Sequence, residues 1–349
     1  HKCTLTNLLI IMQVTSKQDS WCAVVNIFAA SKKAASLWRR AEEKLKSDSI
    51  PVETFFTGDD GNAMNLAYSA SEQGFRKFIA VGGDGTIHDV LEGIMFYIES
   101  CTFAGKPVSL SDFTLAVIPV GSGNDWIKTA GIPKDIVKAA SLIKDGFVSR
   151  QDVVKVSLLD PQAFPEEKVL KLAFMANVAG VGLDANVCER VNKAKKRGKR
   201  GKKLYVSALL YNIIHRRPSF ARIVCDGKQV FSGAFLSIAF GIGKYSGGGM
   251  RQTPDAELDD GLLDMTVIPD LPMRIIAKEA PKLFTGKFLT VKQLVTSRSR
   301  SITVIPYDES LPCKMTEGEL TEVDGEVVGK APVRFDVLEQ QLNILTSRS

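Results

Sequence analysis

The sequence predicts two domains: an α/β domain with a mainly parallel sheet, followed by a mostly antiparallel β domain. The chain has 349 residues, which is more than a single hydrophobic core usually serves. Strand-like and helix-like segments alternate up to about residue 149, which is typical of parallel strands joined by helices. After residue 150, alternating and continuous runs of β-forming residues dominate, which indicates a change of architecture.

The α/β domain is predicted over residues 21–149, after a weakly structured leader over residues 1–20. Its strands are short apolar runs, and its helices repeat apolar residues at i, i+3, i+4 and i+7. The predicted strands are Trp21–Phe28, Val52–Phe56, Phe78–Val81 and Thr114–Val120. The predicted helices are Lys32–Lys46, Asn62–Gln73, one beginning at Thr86, a short one beginning at Trp126, and Ile136–Lys144.

The β domain is predicted over residues 150–331. Its β-forming segments are Ser149–Leu159, Lys168–Val178, Ala221–Ala239, Leu262–Pro269 and Arg300–Pro306. Asp226-Gly227 indicates a hairpin, because this dipeptide suits a two-residue turn with positive φ angles. One amphipathic helix is predicted over Leu204–His215. The last apolar segment, Pro332–Thr346, is expected to form a strand that packs on either domain.

Two glycine-rich turns follow predicted strands of the first domain. Gly82, Gly83 and Gly85 surround Asp84 where a strand pattern changes to a helix pattern, and residues 121–125 (GSGND) follow the next strand. Glycine lets the backbone approach a bulky ligand, and the N-terminus of a following helix favours phosphate. Parallel sheets bind ligands at this edge, so the two turns predict a nucleotide site. For the first turn, the spacing alone is also compatible with an ordinary strand-to-helix turn that carries glycines and binds no ligand.

An acidic segment lies in the β domain. Glu257, Asp259, Asp260 and Asp264 fall within eight residues, among glycines, which suits a hard cation bound by carboxylate and carbonyl oxygens. A polar hairpin tip that turns at Asp260 explains the same residues, and spacing alone favours it.

A second acidic turn is Val323–Glu326 (VDGE). Its Asp-Gly pair again indicates a tight turn. Glu326 could act as a general base if the fold brings it to the nucleotide, whereas composition alone indicates a solvated hairpin residue.

The net charge of +6 is concentrated in Lys193–Lys203, which holds eight basic residues and no acid, so the remaining chain carries 6 − 8 = −2. This segment is a solvated loop, a contact for anionic membrane, or a nucleic-acid contact. Basic clusters beside an amphipathic helix bind acidic lipid with roughly 1 kcal/mol per residue. The segment lacks interleaved aromatic residues that stack on bases, so no nucleic-acid partner is expected.

The cysteine spacing and the short apolar runs argue against a zinc site, a membrane span and a secretory signal. The six cysteines lie far apart without a CxxC pair, and only three histidines are present, so a zinc site is not expected. Scattered single cysteines fit a reducing cytosol. The longest early apolar run, Leu8–Met12, is too short for a membrane span or a secretory signal.

Five motifs occur together along the chain. They are GGDGT at 82–86, GSGND at 121–125, KYSGGGM at 244–250, PDAELDDGLLD at 254–264 and VDGE at 323–326. With these motifs the chain resembles the bacterial diacylglycerol kinase-type lipid kinases, a family that also includes sphingosine and ceramide kinases. The resemblance covers about residues 22–345. It implies an ATP-binding α/β domain, a C-terminal β-sandwich for the lipid, an active site in the cleft between them, and a return of residues 332–349 to the first domain.

The resemblance also implies roles for individual residues. Glu326 resembles the general base, and Asp84 resembles the residue that organises the catalytic magnesium. The implied ATP contacts are Asn26, Thr57, Gly82, Gly83, Asp84, Gly85, Thr86, His88, Gly121, Ser122 and Asn124. A structural magnesium site is implied at the Asp260 carboxylate and the carbonyls of Glu257 and Leu262.

The implied activity is transfer of the γ-phosphate of ATP, with Mg²⁺, to a hydroxyl of a membrane lipid such as diacylglycerol or a sphingoid lipid. A soluble-metabolite kinase of the NAD kinase type and a catalytically silent nucleotide- or lipid-binding protein are the alternatives. The expected location is cytoplasmic, on the inner face of the membrane, with the basic segment 193–203 on anionic lipid. The sequence does not decide whether the protein forms a homodimer.

Two local sequences depart from the family pattern. Residues 26–30 read NIFAA, where the family often has an Asn-Pro-x-x-Gly turn. His88 and Asp89 follow GGDGT, where the family usually has Asn-Glu. The sequence is compatible with two positions of His88: it contacts a phosphate or the ribose, or it lies on the surface of the helix.

Overall fold

The structure is a computed structural model of the chain. It describes residues 16–29, 33–58, 62–121, 123–163, 166–198, 202–316 and 318–347. Within these ranges the strands form two sheets, one mainly parallel and one antiparallel. The predicted fold class, an α/β domain followed by an antiparallel β-sandwich, is confirmed.

Strands and helices alternate in the first half of the chain and strands dominate the second half. The described strands are β1 (Trp21–Val25), β2 (Val52–Phe56), β3 (Lys77–Gly82), β4 (Thr114–Pro119), β5 (Phe147–Gln151), β6 (Val154–Leu159), β7 (Val169–Met175), β8 (Val178–Gly182), β9 (Ser219–Cys225), β10 (Lys228–Gly241), β11 (Leu263–Pro269), β12 (Val295–Ser299), β13 (Ser301–Asp308), β14 (Leu311–Met315), β15 (Leu320–Val323), β16 (Glu326–Lys330), β17 (Val333–Val337) and β18 (Leu342–Thr346). The described helices are α1 (Ala34–Ser47), α2 (Ala63–Glu72), α3 (Asp84–Phe103), α4 (Trp126–Ala130), α5 (Ile136–Asp145), α6 (Leu183–Lys196), α7 (Lys202–Ile214), α8 (Met273–Glu279) and α9 (Lys282–Thr285).

The first sheet has the strand order β2-β1-β3-β4-β18-β5. Neighbouring strands are parallel except for β18 and β5. All five residues of β1 are buried, as expected for a strand covered on both faces. On the helical layer, Gly93 lets α3 approach α2, because a Cβ there would lie 2.3 Å from the Met64 carbonyl oxygen.

The second sheet is antiparallel and runs β16-β15-β8-β10-β9-β13-β17-β6-β7, with β11, β12 and β14 attached at its side. Its core contains the stacked rings of Phe240 and Phe335, whose centroids are 4.1 Å apart. The predicted hairpin at Asp226 is confirmed, since it joins β9 to β10 with a positive φ of 46°.

The end of the chain divides between the domains. Val333–Val337 pairs with β6 and β13 in the second sheet, and its Val333 and Phe335 side chains enter the second core. Leu342–Thr346 lies between β4 and β5 in the first sheet. Of the segment 332–349, which was expected to return to the first domain, only the part from Leu342 contributes a strand there.

A pair of helices packs on the second sheet. The predicted helix at 204–215 is α7, and it contacts α6, which the sequence patterns did not predict. Leu183, Val187 and Val191 of α6 are buried against α7 and the Leu236 side chain of β10. Among the helices that the structure describes, none has the length and apolar character needed to cross a membrane.

Candidate active site

The two glycine turns lie side by side at the carboxyl edge of the first sheet. The backbone N–H groups of Val120 and Gly121 donate hydrogen bonds to the Gly82 carbonyl oxygen, at 2.9 and 3.1 Å. A Cβ at Gly121 would lie 2.4 Å from the Gly83 Cα atom, so the approach requires glycine.

Asp84 begins α3 and faces the second turn. Its carboxylate accepts a hydrogen bond of 2.9 Å from the Trp126 backbone N–H. Burial raises the pKa of Asp84, and the Trp126 hydrogen bond partly opposes that effect. Within the described ranges, no basic side chain forms an ion pair with Asp84. A half-buried carboxylate without a cationic partner, beside a phosphate-type turn, fits a magnesium ion bound with ATP.

Three further predicted ATP contacts meet at the same edge. The Asn26 side chain follows β1 and donates a hydrogen bond of 3.0 Å from Nδ2 to Thr86 Oγ1. Thr57 follows β2, and its hydroxyl oxygen accepts a 3.3 Å hydrogen bond from the Ile27 backbone N–H. Gly82 is required here too, because a Cβ would lie 2.0 Å from Thr86 Oγ1.

The remaining predicted contacts lie at or near the turns. The space around Gly85 is open, with no atom within 4 Å of where a Cβ would stand. Asn124 has a φ of 50°, and its side chain donates a 2.8 Å hydrogen bond to the Gly121 carbonyl oxygen. Ser122 lies outside the described residues. These ATP contacts stay predictions.

The second glycine turn also contacts the β domain. Asp125 accepts a hydrogen bond of 2.6 Å from the Gly248 backbone N–H. Gly248 belongs to the KYSGGGM segment, in which Gly247, Gly248 and Gly249 all have positive φ angles. This segment therefore closes one side of the cleft between the domains.

Glu326 lies beyond the tight turn between β15 and β16. Asp324 and Gly325 have φ angles of 50° and 92°, which confirms the predicted hairpin turn. Glu326 is exposed, and its Oε2 atom lies 3.4 Å from Asn192 Nδ2 of α6. The same Asn192 nitrogen donates a 2.9 Å hydrogen bond to the Gly325 carbonyl oxygen.

Asp324 anchors this turn by its side chain. The carboxylate accepts hydrogen bonds of 2.7 to 3.0 Å from the backbone N–H groups of Ala176, Asn177 and Val178, between β7 and β8. It also lies 3.2 Å from Nδ1 of His88. The sequence motif predicts the turn, but it does not reveal this buried carboxylate.

His88 is 3% exposed, so the suggestion that it lies on the helix surface is wrong. Its ring lies between Asp324 and Glu92, whose Oε2 atom is 3.7 Å from Nε2. Burial opposes a charged ring, but the Asp324 hydrogen bond and the charges of Asp324, Glu92 and Asp89 outweigh it and raise the pKa of His88 to about 9.

Asp89 brings a second carboxylate of α3 towards Glu326. Burial raises the pKa of Asp89 to about 6, with further increases from the charges of Glu326 and Glu92 and a decrease from His88. The contact between His88 and Asp324 shows that the beginning of α3 and the VDGE turn face each other. The structure therefore brings the first glycine turn and the predicted base to one cleft.

The segment of the predicted structural magnesium site contacts Arg298. Asp260 accepts a 3.0 Å hydrogen bond from the Leu262 backbone N–H and forms an ion pair with Arg298, which also pairs with Asp264 at 3.1 Å. Arg298 therefore contacts two carboxylates of the acidic segment. No group of three potential metal-ligating side chains occurs within the described ranges. That Glu257, Asp260 and Leu262 bind a metal ion stays a prediction. No step of the phosphoryl transfer proposed below depends on it.

An apolar pocket lies between the helices and the second sheet. Its wall is formed mainly by aliphatic side chains of α6, α7, β10, α8 and α9, among them Leu183, Leu209, Ile213, Leu236, Ile276 and Leu283. Its polar side contains Asp184, which accepts hydrogen bonds from Ser237 Oγ at 2.7 Å and from Gln252 Nε2 at 3.1 Å. Burial raises the pKa of Asp184.

Gly180 lies beside two buried carboxylates, those of Asp184 and Glu322. A Cβ at Gly180 would lie 2.8 Å from the Asp184 Cβ atom and 3.1 Å from Glu322 Oε1. Glu322 in turn accepts a 2.8 Å hydrogen bond from the Gly325 backbone N–H. Glu322, which holds the VDGE turn, and Asp184, at the polar side of the pocket, therefore both lie beside Gly180.

Two family models match consecutive parts of the chain. The diacylglycerol kinase catalytic domain matches residues 20–156. The YegS C-terminal NAD kinase beta sandwich-like domain matches residues 177–346. These two ranges correspond to the α/β domain and most of the antiparallel domain.

Relatives match over nearly the whole chain. A diacylglycerol kinase of Mycobacterium tuberculosis is 26% identical over 327 residues, covering 93% of this chain and 94% of that protein. A diacylglycerol kinase of Bacillus subtilis is 24% identical over 304 residues, covering 87% and 88%. A crystal structure of a diacylglycerol kinase from Bacillus anthracis has the same fold, with a TM-score of 0.64 and 19% identity over 94% of this chain and 97% of that chain. The protein belongs to the family of diacylglycerol kinase-type lipid kinases.

Proposed function

We propose that this protein transfers the γ-phosphate of ATP to a hydroxyl group of a membrane lipid. The observation that carries this proposal is the apolar pocket of the β domain, with Asp184 at its polar side, together with the cleft in which α3 faces the turn that bears Glu326. The chain of a lipid acceptor would lie in the aliphatic part of the pocket, and its hydroxyl group would have to reach the cleft at Glu326. A small soluble acceptor has no apolar chain that would occupy that part of the pocket.

Phosphoryl transfer depends on positioning and charge neutralisation more than on covalent chemistry. The backbone N–H groups of the two glycine turns would hold the phosphates, and Asp84 would hold magnesium. Mg²⁺ supplies positive charge to the phosphates when it is bound. Glu326 would accept the proton of the lipid hydroxyl as that oxygen attacks the γ-phosphate in line.

The acceptor we propose is diacylglycerol or a related lipid such as a sphingoid lipid. Diacylglycerol is favoured because the relatives that match most of the chain bear that name. The pocket alone does not separate these acceptors, since all of them combine an apolar chain with a hydroxyl group.

The same helix pair would bring the enzyme to its substrate at a membrane surface. Val206, Leu210 and Ile214 lie four residues apart on α7 and are 51%, 55% and 66% exposed. Leu209 and Ile213, next to them on α7, line the pocket. We therefore propose that α7 lies between the pocket and an anionic membrane surface, next to the basic segment 193–203. Residues 199–201 of that segment lie outside the described residues.

A panel of acceptors tests the proposed function. Purified protein is incubated with Mg²⁺, labelled ATP and, separately, diacylglycerol, sphingoid base, ceramide, phosphatidylglycerol or NAD. We expect labelled phosphate in at least one lipid and none in NAD. Phosphorylation of NAD alone would identify a soluble-metabolite kinase. ATP binding without transfer to any acceptor would support the catalytically silent alternative.

A further inference from the structure

One face of α3 connects the nucleotide-binding domain to the β domain. His88, Glu92 and Phe96 lie four residues apart on this face. Glu92 accepts a 3.3 Å hydrogen bond from the Phe174 backbone N–H of β7, and the Phe96 and Phe174 rings meet edge to face at 5.7 Å. His88 reaches Asp324, 236 residues later in the sequence. The helix that begins at the first glycine turn therefore contacts the domain that carries Glu326.

The pair of His88 and Asp324 is the most buried of these contacts. Nδ1 and Oδ2 are 3.2 Å apart, and the two side chains are 4% and 3% exposed. Three backbone N–H groups between β7 and β8 hold the Asp324 carboxylate in place. Because the carboxylate is fixed on one side by the β domain, the imidazole ring joins the α/β domain to that fixed point.

The groups around His88 are acidic. Glu92 and Asp89 lie on its own helix, and Asp324 and Glu322 face it from the β domain. A protonated ring donates to Asp324 and balances carboxylates on both sides of the junction. Without that charge, carboxylates of the two domains would face each other without compensation, which favours separation.

We infer that His88 is a positioning residue that holds the Glu326 turn against the ATP-binding domain. Asp324 stands two residues before Glu326 in a tight turn, so the contact that fixes Asp324 also fixes the direction of Glu326. His88 itself has almost no exposed surface, so it acts through Asp324 and not by touching ATP. The inference rests on the proposed role of Glu326 as the base.

The test compares His88→Gln with a variant that removes a different ion pair between α3 and the β domain. Glu99 of α3 forms a second ion pair between the domains, at 2.7 Å with Lys155 of β6, and both partners are partly exposed. We expect His88→Gln to lower kcat for the lipid at least 10-fold and to leave the Kd for ATP within about twofold. Lys155→Gln should change neither quantity more than about twofold. His88→Lys, which keeps the positive charge, should recover part of kcat.

Two kinetic outcomes would overturn the inference. Unchanged kcat in His88→Gln would show that the turn does not depend on the ring. A large increase in the Kd for ATP with unchanged kcat would show that His88 contacts the nucleotide instead.

Measurements that need no lipid kinase activity separate this inference from the proposed function. In hydrogen–deuterium exchange, the amides of residues 323–327 should exchange faster in His88→Gln than in the wild type and in Lys155→Gln. Equal exchange in all three proteins would contradict the inference. If His88→Gln does not fold, the protonation state of the His88 ring is measured by NMR in the wild type. The chain has three histidines, so only three ring signals have to be distinguished. A His88 ring that is neutral at pH 7 would overturn the inference, and a protonated ring would support it.

Discussion

The Asp84 carboxylate accepts a 2.9 Å hydrogen bond from the backbone N–H of Trp126. Asp84 begins α3 after the first glycine turn, and Trp126 begins α4 after the second. This bond therefore ties together the two turns that form the nucleotide side of the cleft. The same carboxylate is the group that we propose to hold magnesium beside the ATP phosphates.

The close approach of the two turns predicts a steric effect at Gly121. Gly121→Ala would place a methyl group 2.4 Å from the Gly83 Cα atom, and backbone cannot move aside as a flexible side chain can. We expect a loss of about 1–3 kcal/mol in the free energy of unfolding. Gly85→Ala is the control, since its Cβ meets nothing within 4 Å and alanine favours the helix. Equal stability of the two variants in chemical denaturation would contradict the structure of the turns.

Removal of the proposed base should separate binding from chemistry. Glu326→Gln keeps the size of the side chain but cannot accept the proton of the acceptor hydroxyl. We expect kcat to fall by about 10² or more, while calorimetry shows nearly unchanged ATP binding. Activity near that of the wild type would remove Glu326 from the mechanism.

Membrane binding should depend on the exposed basic residues before α7. Replacement of Lys193 and Arg197 by Gln is expected to weaken binding to anionic vesicles about 30-fold at low salt, from roughly 1 kcal/mol per residue. Lys106→Gln with Lys138→Gln removes the same charge from exposed positions of the first domain. Cosedimentation should show little loss for that control, and equal losses in both double variants would indicate only a net-charge effect.

The pair of His88 and Asp324 predicts a pH-dependent stability. The pKa of His88 rises from 6.5 to about 9 in the folded protein, so protonation stabilises the folded state. The full contribution, about 3 kcal/mol, is present below about pH 6.5 and is lost as the pH rises through about 9. The stability difference between wild type and His88→Gln should therefore decrease over this range in denaturant titrations. A constant difference from pH 6 to 9.5 would show that the ring charge does not contribute.

Local patterns predicted the fold class and the glycine turns. The change from an apolar strand to helical spacing at Asp84 is a property of neighbouring residues, as is the Asp-Gly turn before Glu326. The helix α6 was missed, although Leu183, Val187 and Val191 recur every four residues, because its second half merges with the basic segment. The end of the chain was not divided correctly between the sheets, because no strong turn signal separates β17 from β18.

The contacts between the domains could not be predicted from local patterns. His88 and Asp324 are 236 residues apart, and each has an ordinary local explanation, a helix residue and a turn residue. Arg298 beside Asp260 is a similar case, since 38 residues separate the acidic segment from the cation that balances it. Such pairs depend on strand order and domain packing, which single-sequence periodicity does not specify.

The molecule that receives the γ-phosphate decides whether this protein is a lipid kinase. Wild-type protein is given labelled ATP, Mg²⁺ and anionic vesicles that contain diacylglycerol, sphingoid base and ceramide, with NAD dissolved in the same reaction. After extraction, we expect the label in a phosphorylated lipid in the organic phase. Label found only in a phosphorylated dinucleotide in the aqueous phase, or only as released inorganic phosphate, would contradict the proposed function.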